Sequence, residues 1–240
     1  MKTVPKNHPR YASLKTRELI VEGVKNGVTT IDGLIPHGRG EAFDYLLGEK
    51  THTFAKKAIM AAVSLLLTAK HPVISVNGNT AALVAKEIVA LSQLLHAPLE
   101  VNLFHASKER EKKIKNFLEK NGAKNVLLPQ SDCIIPFLDS NRKFVNKQGI
   151  FKADVVFVPL EDGDRAEALV KNGKKVITVD LNPLSRTAKT ATVTIVDNIV
   201  RAMPLLLREV KRQKQTQKPM PAYNNSRILK EARKAIKASS

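Results

Sequence analysis

Pro72-Val73-Ile74-Ser75-Val76-Asn77-Gly78-Asn79-Thr80 decides the fold. Its β-branched first half breaks abruptly into residues suited to a turn and a helix N-cap, and the alanine-rich amphipathic run Ala81 to Leu95 follows at once. The pattern predicts strand, tight loop, helix. In a parallel α/β sheet such a loop lies at the carboxyl end of its strand, where ligands bind and where a helix N-terminus offers unpaired N–H groups to anions. A site is therefore expected to open here.

Working outward, Leu99 to Phe104 reads as a second strand, Ser107 caps a charged helix ending at Lys120, and Asn125 to Leu128 is a third short strand. Strands over Asp154 to Pro159, Lys175 to Val179 and Ala191 to Val196 follow, with helices over Asp164 to Asn172 and from Ile199 to about Lys211. Residues 129 to 150 lack periodicity and are long for a mere connection, which suggests a functional segment. Upstream, residues 1 to 9 read as extended, and helices are predicted over Arg10 to Lys25, Glu41 to Leu47 and Thr51 to Ala69. Strands that alternate with helices predict an α/β fold: a Rossmann-like parallel sheet with helices on both faces. The expected organisation is one α/β domain over residues 1–212, with a helical part at 10–69 and a sheet core at 72–212. Residues 213–240 read as a basic appendage, a linker from Gln213 to Pro221 and then a tail helix over Asn225 to Ala238 that docks on a partner subunit or stays free.

The longest apolar stretch, Ala58 to Leu67, is about half of what a bilayer requires, and the first residues lead into no signal-peptide core, so a cytoplasmic protein is expected. The single cysteine, Cys133, excludes an internal disulfide and any multi-cysteine metal site. The formal charge is +18, of which about half sits in residues 201–240, with eleven Lys/Arg against two Glu. The body is thus only moderately basic. With no zinc-finger spacing and no aromatic RNA-binding signature, anionic small substrates fit that excess better than nucleic acid does.

Gly33-Leu-Ile-Pro-His-Gly-Arg-Gly40 reads as a glycine-rich loop that lets backbone approach a ligand while Arg39 offers a planar fork to phosphate or carboxylate. Arg39, Arg186 beside Ser185 and Thr187, and Asn77 with Asn79 together suit a polyphosphate, and Asp180 suits a ribose or Mg²⁺. Helix capping explains Asn77 to Thr80 and Asp197-Asn198 equally simply. His37 is the histidine placed among glycines, and no two histidines stand at metal-binding spacing. Glu41 and Asp44, one helical turn apart, could share a face as a metal pair or lie exposed. Arg17 reads as part of a solvated helix face.

His8-Pro-Arg-Tyr11, Ser13-Leu14 with Arg17, the block Gly33 to Glu49, and Asp180-Leu-Asn-Pro-Leu-Ser-Arg-Thr-Ala188 together resemble the archaeal phosphopantothenate synthetase (4-phosphopantoate–β-alanine ligase) family over residues 5 to 212. The tail beyond Pro219 departs from the match. The resemblance implies an ATP-dependent condensation of 4-phosphopantoate with β-alanine through an acyl-adenylate, releasing AMP and diphosphate, in coenzyme A biosynthesis, by a homodimer with a Rossmann-like sheet. It places nucleotide contacts at Arg17, Arg39, Asp180, Leu181, Asn182, Arg186, Thr187, Asn198 and Ile199, with Arg17 and Ile199 resting on the resemblance alone. Arg39 and Arg186 are then expected to grip phosphates and Asp180 and Asn182 to orient the nucleoside, with Mg²⁺ bridging phosphate oxygens. Asn77, Asn79 and His37 fall to the phosphopantoate pocket. The rival readings are a nucleotide-responsive protein that uses its basic tail on RNA or an acidic partner, and a kinase on a small acid.

Overall fold

The computed structural model describes residues 4–216 and 222–238. Six strands form one parallel sheet: β1 (Pro72–Val76), β2 (Leu99–Val101), β3 (Val126–Leu127), β4 (Val155–Phe157), β5 (Lys175–Val179) and β6 (Val193–Ile195). Their order is β3-β2-β1-β4-β5-β6, so the direction of winding reverses between β1 and β4. Ile74 is in register with Leu99 on one side and Phe157 on the other. Nearly every strand residue is buried, as a parallel sheet covered on both faces requires.

Side-chain alternation divides the core in two. Ile74, Val76, Leu99, Phe157, Ile177 and Ile195 pack under α3 (Thr53–Thr68), α4 (Gly78–Leu95), α5 (Lys108–Lys120) and α8 (Ile199–Thr216). Val73, Val156, Val158 and Val176 face the other way, toward α6 (Gly163–Lys171) and the aperiodic segment, which supplies Cys133, Ile135, Val145 and Ile150. That segment is therefore a cover for the second face. It carries no regular period because it is folded as an antiparallel bridge, Ile134 to Phe144, that encloses one short helical turn, Asn141–Lys143, and is followed by another, Lys147–Phe151.

Three expectations are corrected. The Gly33–Gly40 stretch is no loop: a 3-10 turn over Ile31–Gly33 runs straight into α2 (Leu34–Leu46). Pro36 sits in that helix's first turn, where no N–H is needed, so the sequence signal for a loop is compatible with helix. The linker does not begin at Gln213. α8 continues to Thr216 with Gln213 buried and its Nε2 donating to the Met60 carbonyl at 3.3 Å, and residues 217–221 lie outside the described residues. Nor is the tail helix free or reserved for a partner. Ile228, Leu229 and Ala232 of α9 (Asn225–Lys237) are buried in the sheet's own core. Asn225 stitches the entry to α9 onto the sheet edge, accepting from the Thr194 backbone N–H at 3.0 Å and donating to the carbonyls of Ala188 and Ala191 at 2.8 and 3.0 Å. An edge strand is thereby covered. The remaining helices are α1 (Tyr11–Lys25), whose extent matches the expectation closely, and the short α7 (Arg186–Thr190).

Candidate active site

The carboxyl ends of β1, β2, β4 and β5 open into a cleft of about 590 Å³, roofed by α2. The loops after Val76 and Val179 both line it, as their sequences predicted. At the loop after β1, Asn77 caps α4: its Oδ1 accepts from Thr80 N at 2.9 Å and its Nδ2 donates to the Leu160 carbonyl at 2.6 Å, tying the β1 and β4 loops together at the winding reversal. The capping reading of Asn77 is therefore met, although the residue also lines the cleft. Asn79 receives the Thr29 hydroxyl and donates to the Gly33 carbonyl at 2.9 Å. A Cβ on Gly33 would stand 2.5 Å from Asn79 Oδ1, so this glycine serves close approach of α2 to the sheet.

Arg39 and Arg186 sit at the β5 end of the same cleft. Arg39 is exposed and has no hydrogen bond or ion pair among the described residues, while its charge acts on Asp180. Asp180 is half-buried, and desolvation pushes its carboxyl up; both its oxygens are engaged, one by Ser185 Oγ and one by Asn182 N at 2.9 Å. Arg186 is exposed and holds Glu167 in a two-pronged pair, Nε to Oε1 at 2.5 Å. Thr187 lines the cleft and donates its hydroxyl to the Glu161 carbonyl at 2.9 Å.

A smaller pocket of about 90 Å³ adjoins the cleft and is lined by His37, Leu181, Asn198 and Ile199, with Leu83, Leu160 and Pro36 as apolar walls. Burial pulls the His37 imidazole below its ordinary pKa. Arg17 stands apart from both spaces. It lines a shallow depression of about 310 Å³ with Val21, Leu34, His37 and Tyr45, and its fork is closed on Glu41 at 2.7 and 2.6 Å. Glu41 and Asp44 form no metal pair: Glu41 faces Arg17 and Tyr45, and Asp44 faces Arg201 and Asn198. Among the described residues no three His, Cys, Asp or Glu side chains come together as metal ligands.

Sequence reasoning missed two cleft arginines and one brace. Arg110, on the first turn of α5, and Arg142, in the aperiodic segment, both line the cleft's β2 end. The brace lies at the foot of the small pocket, where Arg201 of α8 donates to Asp44 of α2 at 3.0 and 2.5 Å and to Asp197 at 3.0 and 2.8 Å. Arg110 had a local signal in its place after the Ser107 cap. Arg142 with Asp162, and Arg201 with Asp44, join residues far apart in sequence and left none.

The family model described as "Phosphopantothenate/pantothenate synthetase" matches residues 54–239, and so includes the tail that the sequence reading had set outside the resemblance. A protein of Thermococcus kodakarensis is 53% identical over 231 residues, 96% of this chain and 86% of its own length. One of Thermococcus onnurineus is 56% identical over 215 residues, 88% of this chain and 82% of its own length. One of Methanosarcina mazei is 50% identical over 237 residues, 97% of this chain and 93% of its own length. Each of the three is named 4-phosphopantoate–β-alanine ligase.

Proposed function

The chain belongs to the phosphopantothenate/pantothenate synthetase family, and on that premise we propose that it is the ATP-dependent ligase that joins 4-phosphopantoate to β-alanine in coenzyme A biosynthesis. The observation that carries the reading onto this structure is the cleft itself, in which Arg39, Arg110, Arg142 and Arg186 line one space at the carboxyl ends of the strands. Two polyanionic substrates need such a lining. The binding-protein alternative loses its ground, because the tail it relied on is core-packed and lies within the family match.

A carboxylate is a poor acyl donor. In the first step a carboxylate oxygen of 4-phosphopantoate attacks the α-phosphorus of ATP, the phosphoanhydride bond breaks and diphosphate leaves. In the second, the deprotonated amine of β-alanine attacks the acyl carbon and AMP departs with the electron pair of the C–O bond. Charge builds on phosphate oxygens in both steps, and positioned guanidinium groups stabilise it. Arg39, unpaired beside Asp180, serves this end directly. Arg186 exchanges Glu167 for phosphate, a cheap exchange because an exposed ion pair contributes only about 0–1 kcal/mol. The small pocket takes the base, with Leu181 and Ile199 on its walls and Asn198 at its edge, while Asp180 and Asn182 face the ribose. His37, whose pKa burial draws down, is suited to take the amine's proton. His37→Gln is then expected to remove the acid limb of the kcat/KM profile, and an unchanged limb would exclude it.

Mg²⁺ would supply neutralisation of phosphate charge; of the cleft carboxylates, Asp180 and Glu161 are engaged by protein groups, whereas Asp32 is exposed, its side chain has no hydrogen bond or ion pair among the described residues, and it would be the one to hold the ion. A homodimer is supported by Ile31, Leu34 and Ile35, which project at helical spacing with Ile31 and Ile35 more than 70% exposed. Ile35→Asp should yield a monomer in sedimentation, and an unchanged mass would remove this face from the interface. A cytoplasmic location follows from the ATP requirement, and among the described residues no helix is long and apolar enough to cross a membrane. The deciding experiment is AMP release from ATP: it should require 4-phosphopantoate and yield phosphopantothenate once β-alanine is added. ADP in place of AMP would make the protein a kinase.

A further inference from the structure

The β2 end of the cleft is built on a chain of buried charge that runs beneath the sheet. Arg142 reaches the cleft wall from the segment covering the second face, and only 4% of it is exposed. Asn102, just past β2, holds that segment by donating Nδ2 to the carbonyls of Arg142 and Phe144 at 3.2 and 3.0 Å. The Arg142 guanidinium meets Glu161, and its Nη1 meets Asp162 at 2.9 Å. The other oxygen of Glu161 meets Arg165, which is 1% exposed and also donates to Ser75 Oγ on β1 at 3.2 and 3.1 Å. Two buried guanidiniums thus share one buried carboxylate, because Asp162 has about half its side chain in solvent (53%).

Spare donors remain. The Nε atoms of Arg142, Arg165 and Arg110 are all buried without a partner. Arg110 donates Nη1 to the His105 carbonyl at 2.6 Å and among the described residues has no carboxylate within ion-pair distance, only the field of Asp32 further off. Arg110 and Arg142 are joined through the loop after β2, since Arg110 binds its His105 and Asn102 binds the Arg142 backbone. Buried cationic donors without acceptors are costly unless a ligand completes them. The residues proposed for the nucleotide line the β5 end, so this end lies across the winding reversal from them, within the same crevice at the carboxyl ends of the strands.

We infer that Arg110 and Arg142 form the subsite for the phosphomonoester of the acid substrate, with Arg165 and Glu161 beneath them as positioning residues that aim Arg142. A dianionic ester presents several acceptor oxygens, which two planar guanidinium forks match better than one carboxylate does. The acid's far end is thereby anchored on one side of the reversal while its carboxylate reaches the α-phosphorus near Asn79 and Arg39. The identity of the ester rests on the ligase reading; the presence of a phosphate subsite does not.

The test uses Arg110→Gln, a half-exposed position, together with Arg142→Lys and Arg165→Lys. Arg110→Gln is expected to raise the KM for 4-phosphopantoate about 10- to 100-fold, the loss of one charge-assisted partner, with the KM for ATP unchanged. Discrimination of 4-phosphopantoate against unphosphorylated pantoate should fall by the same factor. Arg165→Lys, which touches no substrate, should lower that discrimination too, which a purely structural residue would not do. A rise in the KM for ATP instead, an equal loss for both acids, or no change in folded variants would overturn the assignment. Calorimetry of 4-phosphopantoate without ATP separates the two readings. Binding that Arg110→Gln abolishes in a protein releasing no AMP keeps the subsite and rejects the ligase, whereas equal binding by both proteins, or by neither, rejects the subsite.

Discussion

Arg201→Met removes the brace that joins α2 to the first turn of α8. The wild-type guanidinium makes four hydrogen bonds, two to Asp44 and two to Asp197, over 2.5–3.0 Å. The Asp44 and Asp197 side chains are 6% and 0% exposed, so both are left buried with a charge and fewer partners. Asp44 keeps only Asn198 Nδ2 at 2.8 Å, and Asp197 keeps Thr51 Oγ1 at 2.6 Å and Asn198 N at 2.7 Å. Breaking a buried pair by deleting one partner costs about 3–5 kcal/mol, and because Arg201 itself is 26% exposed the low end, about 3 kcal/mol, applies here. For a chain of this length that lowers Tm by about 6–12 °C. Urea denaturation measures the first quantity and calorimetry the second. The same brace fixes the helix carrying His37 and Arg39, so the KM for ATP should rise by about tenfold as α2 loosens. A loss below about 1 kcal/mol, or a destabilised protein with an unchanged KM for ATP, would refute the argument that this cluster sets the nucleotide pocket.

Arg39→Ala should leave stability within about 0.5 kcal/mol, because the side chain is exposed and unpaired, yet lower turnover at least 100-fold in the AMP-release assay. Near-normal turnover would remove it from the site. Burial pushes the Glu100 carboxyl up to about 7 from 4.5, against the pull of the Ile150 and Asn146 N–H groups. The folded state therefore holds the proton more tightly than the unfolded chain, and stability should fall by about 3 kcal/mol as pH rises from about 4.5 to 7 and level off above it. Chemical denaturation of Glu100→Gln across that range should show the slope abolished, and an identical slope would place its origin elsewhere. Deleting residues 222–240 removes buried Ile228 and Leu229, worth about 2 kcal/mol each, and the three hydrogen bonds of Asn225, worth about 1 each. The truncated chain should be poorly folded by circular dichroism, whereas a stable active truncation would show the helix to be dispensable.

Much of the fold was legible because buried parallel strands are written as continuous β-branched runs closed by caps. Asn77 and Ser107 accept from Thr80 and Arg110 N–H groups, each three residues on, and mark their helix starts in sequence; Ser185 caps α7 in the same way, accepting from Ala188 N–H, though no helix was expected there. Lys175 to Val179 was bounded to the residue. α2 was misread because glycine and proline content argues for a loop only when nothing else holds the segment. Here Asn79, Arg17 and Arg201 hold it from outside. The β1 and β5 halves of the site were visible in their own loops. The Arg142–Glu161–Arg165 chain was not, since its members gain meaning only when β4 is laid beside β1.

The arginines of the site divide by burial, and the division predicts their work. Arg186 is 61% exposed and is closed on the Glu167 carboxylate. Exchanging such a partner for phosphate costs little, because an exposed pair is already half paid back by water. Arg142 and Arg165 lie at the other extreme, buried to 4% and 1% exposure, where breaking a pair leaves a charge that no solvent can reach. They cannot trade partners, so they can act on a ligand only through donors left over once Glu161 is satisfied. Burial pulls both down to about 10, which still leaves them cationic at neutral pH. Under the proposed function, the β5 end is suited to a substrate that arrives and leaves as three different phosphates, ATP, AMP and diphosphate, and the β2 end to one group that stays anchored through both steps.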